Sequence, residues 1–254
     1  MFIGIMEVYS TTSSTLIQNL DHDFYKTLPL NILFKFKNNG YPYLEGYDKA
    51  KIMIDSGAYF FNSRETNQTP EKTRQFIEEY KEYINNTKDD SRMVGYFDMD
   101  LRYMGLNGIK RIREELFELT DKIIPVYHSM WGVGEFKWMC RKYNYIGFPC
   151  SSNFDGEDFL PFIKYAHKHK CKIHGLGMDR DKVMRMAPFD SVDSAIWVRQ
   201  GYMEYYANHE IEKNTNNNLK YQAIYMKRET ITQLRRQMYY KQLWADYHKS
   251  TGLI

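Results

Sequence analysis

The chain has 254 residues, a hydrophobic fraction of 43% and a formal net charge of +3. That much apolar sequence can form the core of a folded domain, which excludes a disordered chain. The small positive charge permits a nucleic-acid partner without requiring one, and the 22 tyrosines suit both a protein core and stacking on bases.

The N-terminal stretch MFIGIMEVYSTTSS has no basic lead-in, and no apolar run reaches the length of a membrane span. We therefore expect no signal peptide and no membrane partner. The three cysteines, Cys140, Cys150 and Cys171, show no CxxC spacing. This pattern favours a reducing compartment, the cytoplasm, and disfavours a structural zinc site.

Short apolar or β-branched segments alternate with helical patterns along the chain. The predicted strands are FIGIMEV (2–8), NILFKF (31–36), KIMIDS (51–56), MVGYFDM (93–99), KIIPVYH (122–128), YIGFPC (145–150), KIHGLGM (172–178) and FDSVDSA (189–195). The predicted helices between them are 69–86, 108–122, 133–144 and 155–170. Thr69 followed by Pro70 and Glu71 is a typical helix start.

Eight strands alternating with helices predict a single (β/α)8 barrel of the TIM type over residues 1–254. A doubly wound open sheet is the alternative, because one miscounted strand would leave the barrel open. The C-terminal segment, about 220–254, is basic and aromatic and is predicted to be helical. A packing helix is its simpler interpretation, and a nucleic-acid contact surface is the other.

Ionisable residues lie at the predicted carboxyl ends of five strands, where barrel enzymes place their active sites. They are Asp55, Asp98 with Asp100, His128, His174, and Asp190 with Asp193. Each one alone is typical of a turn, a helix cap or a packing residue. Five such placements together predict a polar site at one rim. The role of Asp190 stays open between steering Asp193 and hydrogen-bonding the rim.

Two kinds of chemistry fit such a cluster. The first is a metal-dependent hydrolase whose ligands are drawn from Asp55, Asp98, His128, His174 and Asp193. The only HxH pattern, HKH at 167–169, lies in a helical stretch and not on a strand. The second is metal-free glycosyl transfer, in which one carboxylate attacks the anomeric carbon and another handles the proton.

An ordered set of motifs between about residues 50 and 200 resembles the tRNA-guanine transglycosylase superfamily. MIDSGAYFF resembles its TDSGGF/YQ loop, GYFDMD its FDE strand, and PVYHS its PVVQG strand. YIGFPCSS, HGLGM and SVDSAIW resemble GGLSVG, LMGVG and MFDCVLPTR. The resemblance implies a (β/α)8 barrel that exchanges a guanine in a nucleic acid for a 7-deazaguanine base.

The resemblance also implies roles for individual residues. Asp193 aligns with the nucleophile that attacks the sugar C1′ and forms a covalent intermediate. Asp55 aligns with the general acid/base, and Ser56 and Gly57 follow it in the base-binding loop. Asp98 aligns with the carboxylate that reads the N1–H and 2-amino edge of guanine.

The remaining base-binding positions follow from the same motifs. Tyr59 aligns with the ring that stacks on the base, and His174 stands where the family usually has Met, on the opposite face. His128 replaces the usual Gln beside O6 or the 7-substituent. Gly147 is expected to let backbone amides approach the base.

The chain departs from the tRNA enzymes of the family in ways that favour the branch acting on DNA. The CxCxxC…H zinc site after the nucleophile is missing, and the chain is shorter. We therefore expect no zinc and no other cofactor, with free 7-deazaguanine, such as preQ0, as the co-substrate. DNA-acting members occur in phages and bacterial modification clusters, so a phage-encoded chain would work in the host cytoplasm.

A DNA substrate implies that the target nucleotide is flipped out or already single-stranded. Arg64, Arg180 and Arg199 are the predicted phosphate contacts at the rim. The alternatives are the same exchange on tRNA, the metal-dependent hydrolase and a non-catalytic barrel. The presence of both Asp55 and Asp193, the residues aligned with the catalytic pair, argues against a non-catalytic barrel. The sequence leaves a homodimer or a helper protein open as a further partner.

Overall fold

The computed structural model describes residues 6–12, 21–37, 41–63, 68–150, 154–194 and 216–253, and side chains in the last range from 227 onward. Eight parallel strands form one sheet. They are β1 (Glu7–Thr12), β2 (Asn31–Lys35), β3 (Lys51–Asp55), β4 (Met93–Phe97), β5 (Ile123–Ile124), β6 (Tyr145–Pro149), β7 (Lys172–Leu176) and β8 (Ser191–Ser194).

The sheet closes into a barrel. Its order is β5-β4-β3-β2-β1-β8-β7-β6, and Val126 forms a parallel bridge to Gly147 that joins the two ends. Two backbone bonds of 2.8 Å complete this seam, from Tyr127 N to Gly147 O and from Gly147 N to Pro125 O. The (β/α)8 prediction is therefore confirmed, and the open-sheet alternative is wrong.

The helices in the described residues alternate with the strands. They are α1 (His22–Tyr25), α2 (Ala58–Asn62), α3 (Pro70–Thr87), α4 (Gly105–Phe117), α5 (Gly132–Lys142), α6 (Gly156–Lys168), α7 (Asp181–Met186), α8 (Asn216–Leu243) and α9 (Ala245–Thr251). The predicted start of α3 is confirmed, because the Thr69 side chain accepts from Lys72 N. None of the described helices combines the length and apolarity needed to span a membrane.

Two strands differ most from their predicted bounds. The described part of the first strand runs later than predicted, to Thr12, while residues 2–5 lie outside the described range. The fifth strand is only two residues long. Pro125 follows it and has no N–H for a ladder bond, so regular pairing stops there.

The core has an inner and an outer part. Inside the barrel, Tyr9, Leu33, Met53, Phe97, Ile124 and Val126 pack together. Two larger clusters fill the space between the outer face of the barrel and the helices. Because side chains alternate across a strand, this division fixes which residues face inward at the carboxyl ends.

The C-terminal helices pack against the barrel. The side chain of Gln237 accepts bonds from Val8 N, at 3.1 Å, and from Asn31 Nδ2, at 2.7 Å. Trp244 Nε1 donates to Met184 O at 2.9 Å. These contacts agree with the interpretation of this segment as a packing helix. Its use as a nucleic-acid contact surface stays a prediction.

Candidate active site

Four inward-facing side chains meet at the carboxyl ends of the first three strands and the last. Leu33 and Met53 lie inside the barrel, so Lys35 and Asp55, two residues further on, also face inward. Tyr9 pairs with Asp193 in the β1–β8 register, and Thr11 follows on the same face. These four side chains therefore bring two carboxylates and one amine to the mouth of the barrel.

Asp193 is held by three donors, one from β1 and two from β7 and the loop that follows it. Its Oδ2 accepts from Thr11 Oγ1 at 3.0 Å, and its Oδ1 accepts from Gly177 N at 2.8 Å. The Nε2 of His174 lies 3.2 Å from the same Oδ1. With 8% of the residue exposed, the carboxylate is fixed in orientation and still reached from the mouth.

A chain of hydrogen bonds supports Asp193 from below. A carboxylate can only accept, so His174 Nε2 carries the hydrogen, and its Nδ1 then accepts from the Ser191 hydroxyl. The Tyr145 hydroxyl is bonded to the same Ser191 Oγ. Burial raises the pKa of Tyr145 well above its usual range, so Tyr145 stays a donor. The relay fixes the histidine tautomer and hence the direction of the bond to Asp193.

Asp55 ends β3 in a tight turn. Its Oδ1 accepts from Gly57 N at 2.9 Å, and Gly57 has a φ of 76°, a conformation that favours glycine. Burial raises the pKa of Asp55 to about 6, and the charges of Asp193 and Asp100 add to the increase. Gly57 N and the charge of Lys35 act in the opposite direction. Asp55 therefore exchanges a proton near neutral pH.

A second carboxylate–imidazole pair lies beside Asp55. Asp100 Oδ2 is hydrogen-bonded to His128 Nε2, and both side chains are about one-sixth exposed. Asn62 Nδ2 donates to the backbone carbonyl of Asp100 at 3.0 Å. Since the charge of Asp100 acts on Asp55, this pair belongs to the same site.

Two aromatic rings follow the Asp55 turn. Tyr59 is 67% exposed, and its ring meets that of Phe60 edge-on at 5.5 Å. The Nζ of Lys35 lies 3.9 Å from the centre of the Phe60 ring. An exposed tyrosine of this kind offers a free face on which a flat ligand can stack.

Asp98 does not take part in the mouth, contrary to the base-reading role implied by the resemblance. It follows the inward-facing Phe97, so alternation turns it outward, towards α4. It is 1% exposed, its Oδ2 accepts from Arg113 Nε at 2.6 Å, and its Oδ1 accepts from Val126 N at 2.9 Å. Asp98 is therefore buried against Arg113 and is not exposed at the mouth, where a ligand would bind.

Two other predicted base-binding residues, Gly147 and His174, make their contacts within the barrel. The N–H of Gly147 donates to Pro125 O, so this amide is not free to bond a base, and the approach of other backbone amides stays a prediction. A Cβ there would lie 3.1 Å from Leu176 and 3.2 Å from Phe97, which explains the glycine. His174 is 0% exposed, with the Phe97 ring 4.8 Å away, so its predicted stacking on a base is wrong.

The two residues after Asp55 shape the turn. Ser56 is buried, and its hydroxyl donates to Asp98 O at 2.9 Å, which ties β3 to β4. The N–H of Gly57 is already bonded to Asp55. Their predicted direct contact with a base is therefore replaced by a positioning role for Asp55.

Asp190 lies on the other side of the strand from Asp193. The three-residue spacing reverses its direction, so it points out of the barrel, where its Oδ2 accepts from Ile173 N at 2.7 Å. The expectation that Asp190 and Asp193 face one polar site is wrong. Asp190 belongs to a separate cluster with His167 and His248.

The predicted arginines are only partly covered by the described residues. Arg180 precedes α7, and its charge, with that of Asp193, acts on the thiol of Cys150, so it lies near the rim. Arg64 and Arg199 lie outside the described residues. The five ligands suggested for a metal hydrolase do not form a metal-binding group within the part of the chain that is described.

Three mouth residues were not assigned a role from the sequence: Thr11, Lys35 and Asp100. Strand alternation could have found Lys35, because it ends β2 two residues after an inward-facing leucine. Thr11 could not be placed, since the first strand was predicted to end before it. Asp100 was among the strand-end candidates, but Asp98 matched the family motif.

The architecture defines the chain as a (β/α)8 barrel, and a solved structure shows the same fold. This protein from Coccidioides immitis, provisionally assigned as a fructose-1,6-biphosphate aldolase, superposes with a TM-score of 0.53 and 13% sequence identity. The likeness covers 98% of this chain and 91% of the other, and at that identity it shows the fold alone. No protein-family model and no curated protein matches the sequence.

Proposed function

We propose that the chain is a base-exchanging transglycosylase that replaces guanine in DNA with a 7-deazaguanine such as preQ0. The observation that carries the proposal is the pair of carboxylates at the mouth. Asp193 is fixed by three donors, and Asp55 has its pKa raised to about 6. Two carboxylates in unlike environments are the arrangement that retaining glycosyl transfer uses.

In the proposed reaction, an oxygen of Asp193 attacks the sugar C1′ and the C1′–N9 bond breaks. The departing guanine keeps the bonding electron pair at N9 and takes a proton from the carboxylic form of Asp55. The incoming deazaguanine gives its N9 proton back to Asp55, and its N9 then displaces Asp193 from C1′. A pKa of about 6 suits a group that gives and takes a proton near neutral pH.

Base recognition is assigned to side chains that the mouth leaves accessible. Tyr59 offers an exposed ring for stacking, which contributes about 1–3 kcal/mol per base in nucleic-acid complexes. Asp100 replaces Asp98 as the acceptor for the N1–H and 2-amino edge of guanine. His128, bonded to Asp100, is then placed to set the orientation of that carboxylate.

DNA is preferred to tRNA as the substrate because of the sequence resemblance and the missing cysteine-rich zinc motif. A guanine inside a duplex hides its C1′, so the nucleotide would be flipped into the barrel mouth or presented in a single strand. Arg180, near the rim, is assigned as a phosphate contact, and Arg64 and Arg199 stay predictions.

The test is mass spectrometry of nucleosides after incubating the protein and preQ0 with single-stranded DNA, duplex DNA or tRNA. We expect a deazaguanine deoxynucleoside from DNA, and none with Asp193→Ala. Asp48→Asn changes an exposed aspartate ahead of β3, at the other end of the barrel, and is the matched control. It should leave the exchange unchanged.

Each other outcome has a defined consequence. Modified tRNA together with unmodified DNA would support the exchange mechanism but refute the assignment of DNA as the substrate. Product from Asp193→Ala at the wild-type rate would overturn the nucleophile. Single-stranded DNA needs no helper protein to open a duplex. If folded wild-type protein modifies neither single-stranded DNA nor tRNA, the proposed function is wrong.

A further inference from the structure

A second cluster of ionisable side chains lies on the outside of the barrel. It consists of His167 from α6, Asp190 just before β8 and His248 from α9, all at most 3% exposed. Asp190 precedes β8 and Asp193 lies within it, and the two side chains point to opposite faces of the sheet. The cluster is therefore separate from the mouth, and nothing in the proposed reaction uses it.

Three polar atoms of this cluster have no hydrogen-bond partner among the described residues. They are both ring nitrogens of His248 and Oδ1 of Asp190. The Phe189 carbonyl lies near His248 but without hydrogen-bond geometry. Leaving a buried polar group unpaired is costly in free energy, so three such atoms in one place indicate a missing partner.

Two of the three unpaired atoms are neighbours. His248 Nδ1 lies 3.6 Å from Asp190 Oδ1, which is too far for a hydrogen bond. His167 Nε2 lies 2.8 Å from Asp190 Oδ2, and one ligand atom from each residue lies within 4.8 Å of the other two. Two ligands on a tetrahedral zinc ion with bonds of about 2.0–2.1 Å stand roughly 3.4 Å apart.

We propose that His167, Asp190 and His248 form a binding site for Zn²⁺, with two imidazole nitrogens and one carboxylate oxygen as ligands. Imidazole and carboxylate are standard zinc ligands, and a water molecule can complete a four-coordinate shell. The site needs no cysteine, so the cysteine spacing that disfavours a zinc site in the sequence does not bear on it.

The surroundings orient the ligands as an outer shell of a metal site does. His167 Nε2 donates to the carboxylate oxygen Asp190 Oδ2. When Zn²⁺ replaces that hydrogen, Nδ1 carries the ring hydrogen instead, and the Tyr247 hydroxyl, 3.1 Å from Nδ1, can accept it. Ile173 N donates to Asp190 Oδ2 at 2.7 Å.

A metal at this position would join three distant segments of the chain. His248 lies 81 positions after His167 in the sequence and brings α9 against α6 and the start of β8. Binding would therefore fasten the C-terminal helix to the barrel. The expected result is higher thermal stability, with no direct effect on the mouth.

The test uses full-length protein whose affinity tag has been removed, because a polyhistidine tag binds zinc itself. Metal-free protein is prepared with a chelator and then titrated with Zn²⁺, or with Co²⁺ as a spectroscopic probe. We expect about one Zn²⁺ per chain and a visible absorption band from bound Co²⁺. Zinc at roughly 100 times its Kd should raise Tm by about 5–10 °C.

His248→Ala and His169→Ala form the matched pair of variants. Each removes one imidazole, but His169 is two residues from His167 and its ring packs against Tyr165 instead. His169→Ala should bind like wild type, and His248→Ala should lose more than the roughly 10- to 100-fold typical of outer-shell changes. Tyr247→Phe keeps all three ligands and should weaken binding by about 10-fold, which provides a test if His248→Ala does not fold.

Two results would overturn the proposal. One is wild-type protein that binds no zinc and shows no change in Tm at about 100 μM Zn²⁺. The other is zinc bound equally by wild type, His248→Ala and Tyr247→Phe, which would place the metal elsewhere in the chain. Neither result depends on whether the transglycosylase proposal is correct.

Discussion

Replacing Asp55 with asparagine should stabilise the protein above pH 7 while removing its proposed function. The folded-state pKa of Asp55 is about 6, against 3.8 for an ordinary aspartate. The difference is about two pH units, and at about 1.4 kcal/mol per unit the ionised carboxylate costs the folded state about 3 kcal/mol. The chief cause is burial, to which the charge of Asp193 adds.

The sign follows from the raised pKa. Between about pH 4 and pH 6 the folded protein holds a proton that the unfolded chain has released, so wild-type stability falls as the pH rises through this window. The substituted asparagine cannot ionise, and its side-chain oxygen can still accept from Gly57 N. Asp55→Asn should therefore be about 2–3 kcal/mol more stable than wild type at pH 8 and nearly equal to it near pH 4.

The assay is urea unfolding of both proteins at several pH values, with the free energy of unfolding compared pairwise. Asp90→Asn is the control of opposite sign, because the bonds from Arg92 lower the pKa of Asp90 to about 2. That variant should lose stability at pH 7, and the loss should shrink as the pH falls from about 4 to about 2. A stability difference for Asp55→Asn that is the same at pH 4 and pH 8 would refute the reasoning.

Three further predictions concern the interior. Arg113→Met should cost about 3–5 kcal/mol in urea unfolding because it leaves the carboxylate of Asp98 buried without its partner, and adding Asp98→Asn should recover part of the loss. Gly147→Ala should cost about 1–3 kcal/mol because its Cβ meets two barrel side chains, whereas Gly134→Ala, with open space, should be neutral or stabilising. Equal effects at the two glycines would contradict this account. His174→Ala should lower kcat far more than it raises KM, because the change removes a hydrogen bond that orients Asp193, while His174 itself does not contact the substrate. An unchanged kcat in folded protein would refute a positioning role for His174.

The fold could be predicted from the sequence because its signals are local. All eight strands carry their own apolar or β-branched pattern, and the helix from Pro70 to Thr87 carries its own cap. Closure of a parallel eight-stranded sheet then places the carboxyl ends at one rim. Asp55 and Asp193 were placed correctly at the mouth for this reason, since each lies within one residue of the end of its strand.

The prediction was wrong where two polar residues close together in the sequence could each have been the one at the mouth. Asp98 and Asp100 both follow β4, and only the packing of α4 shows that Arg113 takes the first and leaves the second at the mouth. The motif alone pointed to Asp98. The direction of a residue beyond a strand end is set by tertiary contacts, which no local pattern records.

The sequence by itself therefore determined the barrel, the order of its strands along the chain and the two carboxylates at its mouth, because hydrophobic periodicity and strand ends are properties of short segments. Only the tertiary structure decided which face Asp190 occupies and that it meets His167 and His248. His167 lies on α6, Asp190 lies just before β8, and His248 lies on α9. Their meeting depends on how α9 packs against the outside of the barrel, a contact between segments far apart in the chain.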